Sequence, residues 1–423
     1  MDDTSLSSRV LAMTALVVAA EAVFALPFHI TRYFRPTFLD VTGFTHSELG
    51  GAQAVYGVVA MACYFPGGPL ADRFQARTLV ASALVATGLG GGVMMLLPDV
   101  GTMALLWGVW GMTSILLLWA ALIRATREWG QIGGSSRAFG ILDAGRGVFS
   151  IVLANLALLT FELLLPDTDV VDAAAKRGAV QGLIATYTVA TMLAAALAYV
   201  AIPKSHAPVV DDDVDAEPHD MRDTLRTLLR MPSLRWHALV VVCAYISYKG
   251  LDTFGVLARD VRQFNDVEAA RLSTLTAWGR PFAALLAGAL ATRWSSSAVC
   301  LASFVAVACG FIAIAVGASS GTVWLFVVEV GAASAMVFSL RAVYFALLDE
   351  AQLPWAMTGT AVGLVSVIGF SPDVFVGLVS GALLDAHPGI DGHVLFLWFL
   401  TASSVVGALA TLGFQRTLST TSS

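Results

Sequence analysis

The stretch Gly67-Gly68-Pro69-Leu70-Ala71-Asp72-Arg73-Phe74-Gln75-Ala76-Arg77 stands between two apolar runs, 50–71 and 78–97. Asp72, Arg73 and Arg77 bring three charges close together in a chain that has few to spend. Of its 423 residues 13% are charged and 57% are apolar. A soluble domain carries roughly a quarter charged residues and under half apolar ones. One bilayer crossing takes about 20 apolar residues, so the chain holds material for about twelve. This composition excludes a soluble enzyme, a nucleic-acid binder and a secreted disulfide domain. The quoted stretch is a polar turn between two membrane helices.

Working outward from that turn, apolar runs separated by polar or Gly/Pro breaks predict spans at 10–32, 50–71, 78–97, 102–126, 137–164 and 180–202. A polar linker over 203–235 follows. Further spans are predicted at 236–258, 269–291, 297–317, 321–347, 356–384 and 393–416. The expected domains are an N-terminal six-helix bundle (1–202), a linker (203–235) and a C-terminal six-helix bundle (236–423). Much of the net charge of −6 comes from the linker's acidic run Asp211-Asp212-Asp213-Val214-Asp215. Leu225, Leu228 and Leu229 among Arg222, Arg226 and Arg230 predict a basic amphipathic helix on the inner leaflet. Met1 to Arg9 is too acidic and polar to open a signal peptide. Cys63, Cys243, Cys300 and Cys309 sit in apolar stretches at no metal or disulfide spacing and read as packing.

Lys and Arg in short loops set orientation. With the N-terminus inside, Arg73, Arg77, Arg127, Arg137, Lys204, Arg222, Arg226, Arg230, Arg235, Arg293 and Arg416 face the cytoplasm. The other side receives Arg35, Lys176, Arg177, Arg259, Arg262 and Arg271. Both termini are therefore expected to be cytoplasmic, in a multi-pass protein of the inner or plasma membrane.

Sliding the chain by 220 residues brings Phe34 onto Phe254, Asp40 onto Asp260, Val41 onto Val261 and Glu48 onto Glu268. Gly68 to Arg73 falls on Gly288 to Arg293, with Asp72 matched by Thr292. Charged residues and a polar turn at one constant offset point to an internal duplication, the construction of many transporters.

The stretch from Gly67 to Arg77 resembles the cytoplasmic signature loop of the major facilitator superfamily, with Gln75 or Ala76 in place of its second glycine. The resemblance implies an all-α membrane protein of about twelve transmembrane helices in two pseudo-symmetric six-helix bundles. It implies a site at their interface near mid-membrane, alternating access and a monomer. It further implies a latch of Gly68, Asp72, Arg73 and Arg77, with Arg293 in the weaker copy, acting on the eleventh helix near Trp355 to Thr358. The fifth span lacks the Gly-Pro-rich pattern of drug:proton antiporters, and the second lacks the intramembrane Arg of nitrate porters.

A charge inside the bilayer is expensive and marks function. Glu21 and Arg32 lie eleven residues apart in the first span. Tyr245, Tyr248, Lys249 and Asp252 follow one face of the seventh span at i, i+3, i+4, i+7. Arg280 lies at the centre of the eighth, before Pro281, where the proline loosens the helix. Asp373 lies in the eleventh span, after Pro372.

Substrate contact is assigned to Arg280, Lys249, Arg32, Tyr248, Tyr56 and Tyr33, and proton coupling to Glu21, Asp373 and Asp252. Arg32 also reads as an outer gate on Asp252, and a structural ion pair of Arg280 with Glu21 or Asp373 stays open. Arg124, Asp143, Arg146 and Arg341 are expected in an inner network, and His29 as packing on a face offset from Glu21.

The expected function is proton-coupled uptake of a small organic anion, such as a carboxylate, sulfonate or sugar acid. The alternatives are a proton-coupled exporter of drugs or cations, or a non-transporting sensor or partner subunit. No nucleophile–base set or metal-ligand cluster is present, so neither catalysis nor a cofactor is expected. Substrate, protons and membrane lipid are the expected partners.

Overall fold

The computed structural model describes residues 6–131, 134–165, 172–204, 221–317, 322–351 and 355–421, without side chains at 135–136, 221–225, 355–359 and 419–421. The acidic run of the linker lies outside the described residues. So do the side chains of Arg222, Leu225 and the expected latch partner, Trp355 to Thr358.

The described residues contain helices and no strand. The first six long segments are Leu6–Tyr33, His46–Arg73, Ala76–Met94, Val100–Trp129, Arg137–Leu164 and Ala173–Ala201. The seventh to twelfth are Pro232–Arg262, Asp266–Arg293, Ser296–Gly317, Val323–Glu350, Thr360–Ala386 and Ile390–Leu418. Among the described residues, eleven of these are long and apolar enough to cross a membrane. The exception, Asp266–Arg293, has 28 residues and so ample length, but it carries Asp266, Glu268, Arg271, Arg280 and Arg293.

The chain divides into two compact units. The first is Met1–Val210 with Phe264–Thr274, the second Asp211–Gln263 with Leu275–Ser423. The 220-residue offset recurs in local structure. His46–Arg73 and Asp266–Arg293 start and end 220 residues apart, and the following helices start at Ala76 and Ser296. Gly43 (φ 71°) and Gln263 (φ 57°) both adopt the left-handed conformation at the turn before them. Thr45 and Glu48 form a reciprocal capping box at the first of these helices. Asn265 and Glu268 form the same box at the second, with bonds of 2.9 and 2.8 Å. Each box satisfies two amide donors that a helix start would leave open. Asp40 accepts from Lys176 Nζ at 2.8 Å, while Asp260 contacts His393 Nε2 at 3.1 Å. In both units an acid shortly before the second segment thus ties to the start of the sixth.

Asp99 caps the fourth segment, accepting from the amides of Gly101 and Thr102 at 2.9 and 3.1 Å. The linker forms a helix, Met221–Arg230, that packs on Pro232–Gly250 and Trp355–Gly369. Leu228 is fully buried there while Arg226, Leu229 and Arg230 remain exposed. Among the described side chains, Leu228 docks the helix on protein while Leu229 faces outward with the arginines.

Two expectations are corrected. Gly68, expected in the latch as a small residue that lets two helices approach, makes no such approach, which falls to Gly67. Gly68 has open space around it, whereas a Cβ on Gly67 would lie 3.4 Å from the Ile115 carbonyl. The tightest crossing of these helices is at Gly111, where a Cβ would stand 2.8 Å from the Tyr56 carbonyl. The cysteines also differ: Cys63, Cys243 and Cys300 are buried, but Cys309 is exposed.

Candidate functional site

In the first unit the buried charge is Glu21. Its Oε1 lies 3.5 Å from His29 Nε2 and its Oε2 lies 3.4 Å from Arg146 Nε. Eight residues of α-helix would set Glu21 and His29 about 80° apart around the axis and 12 Å along it. The segment Ala25–His29 is instead a π-helix. Its wider i→i+5 turns advance less per residue, both around the axis and along it. His29 therefore swings onto the face of Glu21. Pro27 sits inside this segment, and its carbonyl accepts from Trp107 Nε1 at 3.0 Å.

The imidazole is walled by Tyr33 and Tyr187, ring centroids 5.3 and 5.6 Å away, both edge-on. Tyr187 is fully buried and its hydroxyl has no hydrogen-bond partner among the described residues. The Arg146 guanidinium lies over the rings of Trp119 and Phe24, at 5.7 and 5.9 Å. Asp143 stands 3.9 Å from Arg146 with 71% of its side chain exposed. Glu21 is the nearer partner.

Tyr56 is buried, with its hydroxyl 2.8 Å from Ser114 Oγ and its ring edge-on to Phe28 at 4.7 Å. Arg32 is half-buried. Arg35, read from sequence as an outer-loop residue, is 1% exposed. The apolar run stops before it and Pro36 follows, which reads as a helix end. The proline instead occupies the first turn of a new helix, Arg35–Thr42, a position that needs no amide donor.

In the second unit the seventh-span stripe lies where its spacing put it. Lys249 Nζ is 3.1 Å from Asp252 Oδ2 and 3.5 Å from Asp373 Oδ1. The Tyr245 hydroxyl donates to Asp373 Oδ2 at 2.9 Å. Lys249 occupies the repeat-equivalent position of His29 (249 − 29 = 220), so each unit places a nitrogen base against a carboxylate at that register.

Arg341, from the tenth segment, lies over Tyr248 with Cζ 3.8 Å from the ring centroid, and 5.7 Å from that of Tyr245. Arg280 is half-buried. A Cβ on the preceding Gly279 would stand 3.8 Å from that of Ala335, which places Arg280 beside the segment that carries Arg341.

The expected inner residues fall into three separate sets. Arg146 and Asp143 belong with Glu21, and Arg341 with Tyr248. Arg124 donates to the carbonyls of Ala71 and Phe74, the latter at 2.9 Å, capping the helix that ends in the signature loop. In that loop Asp72 and Arg73 are exposed, as is Arg293 in the second copy, while the Arg77 guanidinium lies 4.3 Å over the Tyr199 ring. Among the described residues no group of three His, Cys, Asp or Glu stands ready to hold a metal.

Residues 10–377 match the profile of the Major Facilitator Superfamily. The chain is 24% identical over 386 residues to the inner membrane protein YqcE of Escherichia coli (strain K12), covering 88% of this chain and 87% of that one. It is 24% identical over 381 residues to the inner membrane protein YihN of the same organism, covering 89% and 88%. In fold it is similar to the inward-facing, unoccupied structure of a bacterial homologue of the human lysosomal transporter Spinster. The TM-score is 0.74 at 13% identity, over 98% of this chain and 99% of that one. The nucleoside transporter NupG gives a TM-score of 0.70 at 14% identity, over 97% and 100%.

Proposed function

The chain belongs to the Major Facilitator Superfamily, a multi-pass membrane transporter of small molecules, and from that premise we propose that it imports a small organic anion together with protons. One observation carries the reading. Setting aside Glu329, two turns from the start of the tenth segment, the middle of the second unit's long segments holds Lys249, Arg280 and Arg341 against Asp252 and Asp373, three cations to two carboxylates. Both carboxylates already contact Lys249, so the excess charge suits an anion. A cationic drug would meet carboxylates that are already held, here by Lys249 and in the first unit by Arg146.

In this reading Arg280, with Arg32, attracts the anion. Lys249 moves from substrate contact to the coupling group, because its ammonium lies between two carboxylates. Protonation of Asp373 would release Lys249 and Tyr245 together. Glu21 and His29 form the equivalent proton site of the first unit. Cytoplasmic termini, alternating access, monomeric operation and the division at 203–235 belong to the same proposal.

The test is uptake by proteoliposomes of radiolabelled small carboxylates and sulfonates under an imposed pH gradient. Accumulation against the anion gradient with acid outside is expected. Arg280→Ala should lower anion affinity at least tenfold while the purified protein melts as before. Glu21→Gln should spare counterflow and abolish uphill accumulation. Wild-type protein that moves only lipophilic cations would overturn the reading.

A further inference from the structure

Arg146 is the cation beside the buried Glu21, and it is held loosely. Its Nε stands 3.4 Å from Glu21 Oε2, yet this nitrogen is buried without a hydrogen-bond partner among the described residues. Asp143 is 3.9 Å from its Nη1, beyond hydrogen-bond reach. The five donors of the guanidinium are therefore engaged in no hydrogen bond among the described residues, although buried polar groups almost always find one.

Two rings hold the cation instead. The guanidinium stands over Phe24 and Trp119 at 5.9 and 5.7 Å, an attraction that survives when a neighbouring carboxylate loses its charge. Phe24 directly precedes the π-helical Ala25–His29, and Trp119 closes a second π-helical stretch, Met112–Trp119. Such stretches are rare and gather at functional sites. Among the described residues the second unit repeats neither stretch, and Val241 stands there opposite Glu21.

The open side of Arg146 is wet. Asp143 lies one turn before it on the same helix face and is 71% exposed. A carboxylate within a span does not face hydrocarbon, so that face of the fifth segment opens to water. While Glu21 is ionised, an arriving anion meets two carboxylates around one guanidinium. Once Glu21 is protonated only Asp143 remains, and a solvated carboxylate acts weakly. The other ionisable groups of the packed segments have contacts of their own. His29 pairs with the second oxygen of Glu21, and Tyr33 and Tyr187 wall its ring. Arg124 serves the Ala71 and Phe74 carbonyls and Glu128, and Arg77 lies over Tyr199.

We propose that protonation of Glu21 turns Arg146 into the grip for the carboxylate or sulfonate of the transported anion. The released fork then offers two parallel N–H bonds, the geometry that either oxyanion accepts. One proton on Glu21 and one anion on Arg146 add no net charge to the site and leave no buried ion unpaired. This rests on the anion reading above and deepens it: Arg280 attracts the anion, and Arg146 ties its binding to the proton.

The experiment measures thermal stabilisation and Kd of the purified full chain with methanesulfonate, benzenesulfonate and glucuronate, which stay ionised from alkaline to mildly acid pH. The wild type should bind them roughly tenfold tighter at the acid end, a usual size for coupling between two sites. Glu21→Gln, which imitates the protonated acid, should bind tightly at both ends. Combining Glu21→Gln with Arg146→Gln removes both charges of the pair, so neither is orphaned. This double variant should bind at least tenfold more weakly than Glu21→Gln alone. Should it fail to fold, Glu21→Gln with Arg146→Lys, which keeps the charge and loses the fork, decides with the same expected loss.

Wild-type affinity that ignores pH, weak or pH-dependent binding by Glu21→Gln, or a double variant that binds like Glu21→Gln would each overturn this assignment and leave the anion reading standing. A wild type that none of the three anions stabilises at any pH would overturn both.

Discussion

At the scale of single residues, Lys249 is the most consequential charge, because it separates Asp252 from Asp373 in a buried setting. Removing one partner of a buried pair typically costs about 3–5 kcal/mol, because the other charge is left buried and uncompensated. Lys249→Met should therefore melt far below the wild type in detergent. Adding Asp373→Asn should recover a large part of the loss, since contacting residues are not additive. Equal melting of the single and double variants would show the pair to be uncoupled.

The left-handed pair offers a milder test. Gln263 adopts a conformation that its repeat counterpart Gly43 holds freely, and a side chain there costs roughly 1–2 kcal/mol. Gln263→Gly should raise the melting temperature and Gly43→Ala should lower it.

At the scale of elements, regular helices were legible and their irregularities were not. Glu21, Lys249 and Asp373 stand out in sequence because an ionisable residue in an apolar run has few structural excuses. The seventh-span stripe was legible for the same reason that any amphipathic face is. The Glu21–His29 contact was not, because it depends on a π-helical segment whose extra residue leaves no mark on a 3.6-residue periodicity. Pro27 was the only hint. The contact of Arg341 with Tyr248 was not legible either, because it joins two segments far apart in sequence.

The π-helical segment is braced by Trp107, whose bond to the Pro27 carbonyl is of a kind worth about 0.5–1.5 kcal/mol. Trp107→Phe should lose about that much. It should also weaken proton-driven accumulation if the segment holds His29 in place.

The cap of the fourth segment gives a pH test outside the spans. Bonds from the Thr102 amide and hydroxyl hold the Asp99 carboxyl below the usual carboxylate range. A lowered folded-state pKa means that its stabilisation is complete above the unfolded value. It is lost as pH falls through the lower folded value. Asp99→Asn should keep the cap and remove this acid-dependent part of the melting curve, whereas Asp99→Ala should lose the cap at every pH.

At the scale of the whole molecule, the internal duplication separates scaffold from chemistry. What repeats at 220 residues is the boundary set: the left-handed turn, the capping boxes and the tying acids Asp40 and Asp260. What fails to repeat is part of the charge inside the spans. Glu21 falls on Val241 and Ala60 on Arg280. Residues that break the internal match are therefore a better guide to function than those that obey it.

The signature loop breaks it too, with Thr292 opposite Asp72. Asp72 is exposed, and the latch expected of it would act on the rate of transport rather than on binding. Asp72→Asn should change the maximal transport rate and leave anion Kd untouched. A matching change in Kd would place Asp72 in binding instead.

The thiols carry a practical corollary. With Cys63, Cys243 and Cys300 buried and Cys309 exposed on the ninth segment, the natural chain already holds one reagent-accessible handle. A lipid-soluble maleimide dye should attach once per molecule, giving a fluorescent reporter on an otherwise unaltered transporter. Its emission would register changes around that helix during turnover.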